Sequence, residues 1–150
     1  MGEQKAKVIS VNISEQTGEK KHNVECCLIV VGHGLEGDAH AGEWHRQVSL
    51  LAVESIDKMR LQGLDVWPGD FAENLTTQGI DVASLPVGTR LKVGDGILLE
   101  ITQIGKECLE PCAIGRQVGE CIMPKEGVFA TVIEGGKAAV GDDVEVVEGA

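Results

Sequence analysis

The 150-residue chain has no tyrosine and only two Phe, two Trp and four Pro. An aromatic core is therefore excluded, and the interior has to be built from Val, Ile and Leu, a composition that favours β structure. Basic side chains are also scarce. Thirteen Lys and Arg face 24 Asp and Glu, for a formal net charge of -11, and the acidic residues are spread along the chain rather than gathered in a tail. That balance excludes nucleic acid as the main partner, although a few residues such as Arg46, Arg90 and Arg116 can still form a local cationic pocket. No apolar run approaches the roughly 20 residues needed to cross a bilayer. The opening "MGEQKAKVIS" lacks the charged-then-apolar pattern of an export signal, so the expectation is a cytoplasmic protein with no membrane partner. Five cysteines, an odd number, with no export signal argue against a disulfide framework.

What is present is a succession of short apolar segments separated by glycine turns. "AKVISVNIS" alternates loosely and reads as a strand, "EQTGEKKHN" as a polar turn, and "VECCLIVVGHG" as a second strand completing a hairpin. "GHGLEGDAHAG", residues 32–42, is too glycine-rich for a regular element and reads as a loop of the kind on which sites are built. Val48, Leu50 and Leu51 finish a short strand. A helix then opens near Glu54 or Ser55, with Val53, Ile56, Met59 and Leu61 as its apolar face and Gly63 as its stop. After a long loop come strands at Arg90 to Val93 and Ile97 to Ile104 around "GDG", then a strand in "GVFATVIEGG" and another in "VGDDVEVVEG". About seven strands with one or two short helices predict a mostly β (α+β) fold, a single domain over residues 1–150 forming a closed or partly closed barrel.

The candidate chemistry lies in three places. Cys26 and Cys27, inside an apolar strand, read as small buried hydrophobes. "GKECLEPCAIGRQVGEC", Gly105 to Cys121, places Cys108, Cys112 and Cys121 in an irregular segment directly after a strand. The C-x3-C spacing and a third Cys without a local fourth ligand fit a structural zinc site poorly, and the pair is one residue too long for a thioredoxin-like motif. A single reactive sulfur is the sharpest reading: Pro111 fixes the backbone before Cys112, and Arg116 can lower the thiol pKa if the segment turns helically. The glycine loop combines Asp38, His40, Glu43, His45 and Arg46, a mixture able to orient a polar ligand, but its "GHGLEG" lacks the βαβ context of a dinucleotide fingerprint. "PGDFAENL" reads either as a turn with an Asx hydrogen bond and a solvated Glu73, or as a loop in which Glu73 or Asn74 fixes a barrel mouth.

In order along the chain, "GLEGDAHAG", "HRQVSLL", "PGDFAENLTTQGI", "LPVGTRLKVGD", "ITQIGKECLEPC" and "GVFATVIEGG" resemble the MOSC domain family, similar to the C-terminal part of molybdenum cofactor sulfurases, and most closely its small stand-alone bacterial members. The resemblance implies a barrel-like β fold, the molybdenum cofactor (molybdopterin) as ligand, and one essential cysteine, matched by Cys112 in "EPC". Cys112 would carry a sulfane sulfur or ligate molybdenum as a soft thiolate. The matching cofactor-binding positions are Gly37, Asp38, His40, Arg46, Gln47, Ser49, Asn74 and Arg116, with Arg46 and Arg116 as candidates for the phosphate. Leu109 stands where close relatives carry His, which removes an acid-base partner beside Cys112.

The implied function is sulfur carriage, independent of pyridoxal phosphate, or cofactor delivery through Cys112. The implied partners are proteins of molybdenum cofactor biosynthesis or cofactor-dependent proteins. A molybdenum-dependent reductase of N-hydroxylated compounds is the first alternative, and it would need an external electron donor because no flavin or iron-sulfur motif is present. A non-catalytic docking module with an inert Cys112 is the second.

Overall fold

Alternation of aliphatic and polar residues places one face of each strand in a common interior, and the computed structural model shows where that interior closes. It describes residues 6–15, 21–39, 41–71, 73–105 and 126–148. The strands are β1 (Ala6–Ile13), β2 (His22–Val24), β3 (Cys26–Val30), β4 (Gly34–Leu35), β5 (Val48–Ala52), β6 (Leu75–Gln78), β7 (Arg90–Val93), β8 (Ile97–Ile104), β9 (Val128–Glu134), β10 (Gly136–Ala139) and β11 (Asp143–Glu148). The helix α1 (Val53–Leu61) follows β5, and a 3-10 turn covers Val82–Ser84. Among the described residues, seven strands run in the order β11-β7-β8-β9-β5-β6-β1, and the pairing of β1 with β11, Ala6 opposite Val144, closes them into a barrel. β2 attaches outside β1, while β10, β3 and β4 form a separate three-stranded sheet. No helix among the described residues is long and apolar enough to cross a membrane.

Neighbouring barrel strands pair antiparallel except β5 and β6, which are parallel. A parallel pair cannot be joined by a tight turn, so the chain crosses over through α1 and the loop that follows. This crossover explains why every residue of β5 is buried. Val48, Leu50 and Ala52 face the barrel core with Val8, Leu75, Leu99 and Ile101. Leu51 faces outward into a second cluster with Ile56 and Met59 of α1, Val66, Phe71 and Phe129.

The strands expected at Arg90 to Val93 and Ile97 to Ile104 are found at those positions, and the helix lies where the periodicity placed it. Several expectations are corrected. Leu61, which the apolar spacing puts on the buried helix face, is 89% exposed; the packed face is Ser55, Ile56 and Met59. Cys26 is exposed and Cys27 only half-buried, because β3 leaves the first hairpin for the small sheet. The hairpin partner of β1 is instead the short β2, drawn from the polar turn. The glycine loop contains β4, where Gly34 is required: at φ +121, a Cβ would overlap the Gln47 carbonyl oxygen. β6 lies in a stretch read as loop, its polar Thr76, Thr77 and Gln78 masking its strand character.

The two faces of α1 give a direct test. Removing a fully buried side chain leaves a cavity, so Met59→Ala should cost roughly 2–5 kcal/mol in urea unfolding, while Leu61→Ala should stay within about 0.5 kcal/mol. Equal losses for both would contradict the assigned helix face.

Candidate functional site

Asn74 stands at the head of β6, between β5 and β1, and its position follows from the crossover. Its N–H donates to the Ser49 carbonyl at 2.9 Å, and its Oδ1 accepts the Ser49 N–H at 2.9 Å. On the other side its carbonyl accepts the Asn12 N–H at 2.7 Å and its Nδ2 donates to the Asn12 carbonyl at 3.2 Å. A single asparagine thus continues two ladders where the strands themselves stop, which satisfies backbone groups that would otherwise be buried without partners.

The glycine loop reaches this point through Asp38. Asp38 Oδ1 accepts the Ser14 N–H at 3.0 Å and the Lys21 ammonium at 2.5 Å, and neither the Lys21 nor the Asp38 side chain is exposed. Burial pushes the Asp38 carboxyl up, but Lys21, with the Ser14 amide and the Asn74 side chain, outweighs that and holds it below its ordinary value. The backbone of Lys21 donates to the Gly69 carbonyl at 2.8 Å. Gly69 has φ +94, and an added Cβ would lie 2.7 Å from that Lys21 carbonyl oxygen, so only glycine fits. Gly69, the pair Ser14 and Lys21, and Asp38 are therefore joined by polar contacts.

Glu73 lies inside this arrangement. It was expected to be solvated if the loop is a plain turn, but it is fully buried. Its Oε2 accepts the Gly69 N–H at 3.0 Å and the Thr76 hydroxyl at 2.7 Å, while Oε1 has no hydrogen-bond partner among the described residues. Burial raises its pKa from 4.5 to about 7, with the donors from Gly69 and Thr76 opposing the shift. The Asp70 carboxylate accepts the Trp67 N–H at 2.9 Å, a contact back along the chain rather than the forward bond of an Asx turn.

A second cluster adjoins the first across β9. Ser49 is directly opposite Phe129, and the Arg46 guanidinium lies 5.1 Å from the Phe129 ring centroid and 5.7 Å from that of Trp44. Arg46 Nε donates to Gln103 Oε1 at 3.0 Å, and His45 Nε2 is 2.8 Å from the same oxygen. Gln103 Nε2 donates to the Gly105 carbonyl at 2.7 Å, and the Gly105 N–H donates to the Gly127 carbonyl at 2.6 Å. Gln47 is buried and holds the Val132 N–H at 2.9 Å, a contact that fixes the start of β5 against β9.

Of the residues singled out from sequence, Asp38, Ser49 and Asn74 meet in one hydrogen-bonded network. Arg46 flanks it on Phe129, and Gln47 anchors the adjoining backbone. Gly37 borders open space: with φ +84, an added Cβ would have nothing within 4 Å. His40, Cys112 and Arg116, with Cys108 and Cys121, lie outside the described residues; the segment that carries the three cysteines leaves at Gly105 and re-enters at Glu126, next to Gly127. Among the described residues, no three His, Cys, Asp or Glu side chains are placed to hold a metal. Sequence reasoning missed Lys21, hidden in a lysine-rich polar turn, and Gln103, whose signal was only a polar residue at the end of a strand.

Three comparisons extend this picture. The family model for the MOSC domain matches residues 37–145. The YuaD protein from Bacillus subtilis is similar in structure with a TM-score of 0.80 at 20% identity, covering 95% of this chain and 96% of that one. YiiM from Geobacillus stearothermophilus aligns with a TM-score of 0.71 at 19% identity, covering 95% and 75% of the two chains. YiiM from Escherichia coli gives 0.70 at 21% identity, covering 98% and 71%. At these identities the structural likeness is one of fold. No curated protein matches the chain.

Glu73 gives a pH prediction. Its carboxyl keeps its proton in the folded state up to about pH 7, whereas the unfolded chain releases it near 4.5. The corresponding stability is complete below the unfolded value and is lost as pH rises through the folded one, by on the order of 3 kcal/mol. Urea unfolding of wild type and Glu73→Gln should therefore show the wild type losing ground to the variant across that window; parallel pH profiles would refute the assignment.

Proposed function

The chain belongs to the MOSC domain family, which is associated with the molybdenum cofactor, and from that premise we propose that it binds this cofactor and hands on sulfur or cofactor through Cys112. The observation that carries the reading is Arg46. Its guanidinium is half-buried on two aromatic rings, its Nε is held by a neutral amide, and no carboxylate pairs with it among the described residues. In a chain with a net charge of -11, a guanidinium kept in this way suits a phosphate, which it can grip through its two Nη groups.

The residues present fit the phosphate-bearing end of the cofactor. Arg46 would take the phosphate, with Arg116 as the second cation. The open space at Gly37 would admit the ligand close to the backbone, and His40 would add a polar contact on the same loop. Asp38, Ser49 and Asn74 hold the walls of the site through the contacts described above, and Gln47 keeps the start of β5 in register beneath Arg46. On this reading the metal ligand is Cys112, the position that the family resemblance matches. Bound cofactor would supply a molybdenum ion that accepts a soft thiolate. Partners on this reading are the proteins that make or receive the cofactor.

Protein produced in a molybdenum-replete host should carry molybdenum and pterin, measured by elemental analysis and pterin fluorescence. Cys108→Ala should retain both, Cys112→Ala should lose the metal, and Arg46→Ala should lower pterin content about tenfold, the loss of one charge-assisted phosphate contact. If wild type carries neither and Cys112 alkylates no faster than a model thiol, cofactor binding is refuted and the docking-module reading takes its place.

A further inference from the structure

Among the described residues, Arg60 and Arg90 each meet a carboxylate, Asp57 at 3.4 Å and Glu100 at 3.2 Å, whereas Arg46 meets the carboxamide of Gln103. Donor chemistry settles the orientation of that amide. A guanidinium only donates, so Oε1 must face Arg46; the Gly105 carbonyl only accepts, so Nε2 must face Gly105. His45 Nε2, beside the same Oε1, is then a donor, and a neutral His45 ring carries its proton there. One side chain thus ties the loop before β5 to the end of β8 through two hydrogen bonds, is itself held by a third to Gly105, and adds no charge. The loop is tied a second time at the same level, since the Thr102 hydroxyl donates to the His45 carbonyl.

We infer that Gln103 is the positioning residue of the anion site: it holds the Arg46 guanidinium in one orientation on Phe129 and, being neutral, leaves the full positive charge available to a phosphate. This rests on the reading of Arg46 as the phosphate-binding residue. A carboxylate at position 103 would keep the acceptor facing Arg46 and His45 but lose the donor to the Gly105 carbonyl, and it would neutralise the cation. An aliphatic side chain would keep the charge but release the guanidinium to rotate. The two substitutions therefore separate orientation from charge.

The test is a titration with inorganic phosphate followed by NMR at the Arg46 Nε–H signal, assigned by its disappearance in Arg46→Lys, with the His45 ring nitrogens recorded in the same samples. Wild type should bind. Gln103→Leu should bind about tenfold more weakly, the scale of one charge-assisted hydrogen bond, and Gln103→Glu more weakly still. The Nε2–H signature of His45 should persist in wild type and Gln103→Glu and be lost in Gln103→Leu. A merely structural role would give the opposite order, because the near-isosteric glutamate retains the contacts to Arg46 and His45. Phosphate binding by Gln103→Leu or Gln103→Glu equal to wild type overturns the inference and leaves the Arg46 reading intact. Absence of any response at Arg46 in wild type overturns both. If Gln103→Leu does not fold, the comparison of Gln103→Glu with wild type decides alone.

Discussion

The parallel pairing of β5 and β6 is the constraint on which the rest of the molecule depends. Closing a barrel of otherwise antiparallel neighbours around one parallel pair forces a crossover, and the crossover supplies both α1 and the loop that ends in Asn74. The helix covers the outer face of β5, which is why Leu51 and Phe129 are buried outside the barrel rather than exposed. The loop returns to the sheet edge with polar groups that must be satisfied, and Asn12, Ser49 and Asn74 satisfy them. A site made of buried amides and hydroxyls is thus the by-product of a topological requirement. The barrel core itself needs only aliphatic side chains.

The molecule treats its inward cations in two ways. Lys21 is fully buried, and Asp38 compensates its charge at 2.5 Å; removing either partner would leave an uncompensated charge out of water, a cost of roughly 3–5 kcal/mol. Arg46 is only half-buried, and its contact is an amide. The first arrangement uses charge to fasten the glycine loop to the β1–β2 connection. The second sets the cation on an aromatic surface, with no carboxylate beside it among the described residues. Glu73 is the counterpart on the acidic side, a carboxyl whose burial favours the neutral form and whose second oxygen lacks a partner among the described residues.

Much of this architecture was legible in the sequence where a local pattern reports it. Alternation and the "GDG" turn located β7 and β8, and the spacing of Ile56 and Met59 located α1. The pattern failed where tertiary contacts override it. Thr76 and Thr77 make β6 look like loop, Cys26 is exposed because β3 pairs in the smaller sheet, and Leu61 lies on the solvent side because it stands about 200° round the helix from the buried Met59. Within the site, the residues noted by family resemblance include three that the fold joins, Asp38, Ser49 and Asn74. Lys21 and Gln103 could not be found in that way, since the burial of a lysine from a polar run, or a glutamine shared between two loop residues, exists only once the strands are paired.

The most direct test is a crystal structure of the protein isolated from a molybdenum-replete host, with anomalous scattering measured at the molybdenum edge. The account requires the metal beside Cys112 Sγ and the cofactor phosphate against Arg46. Metal bound away from Cys112, or a phosphate that makes no contact with Arg46, would contradict it.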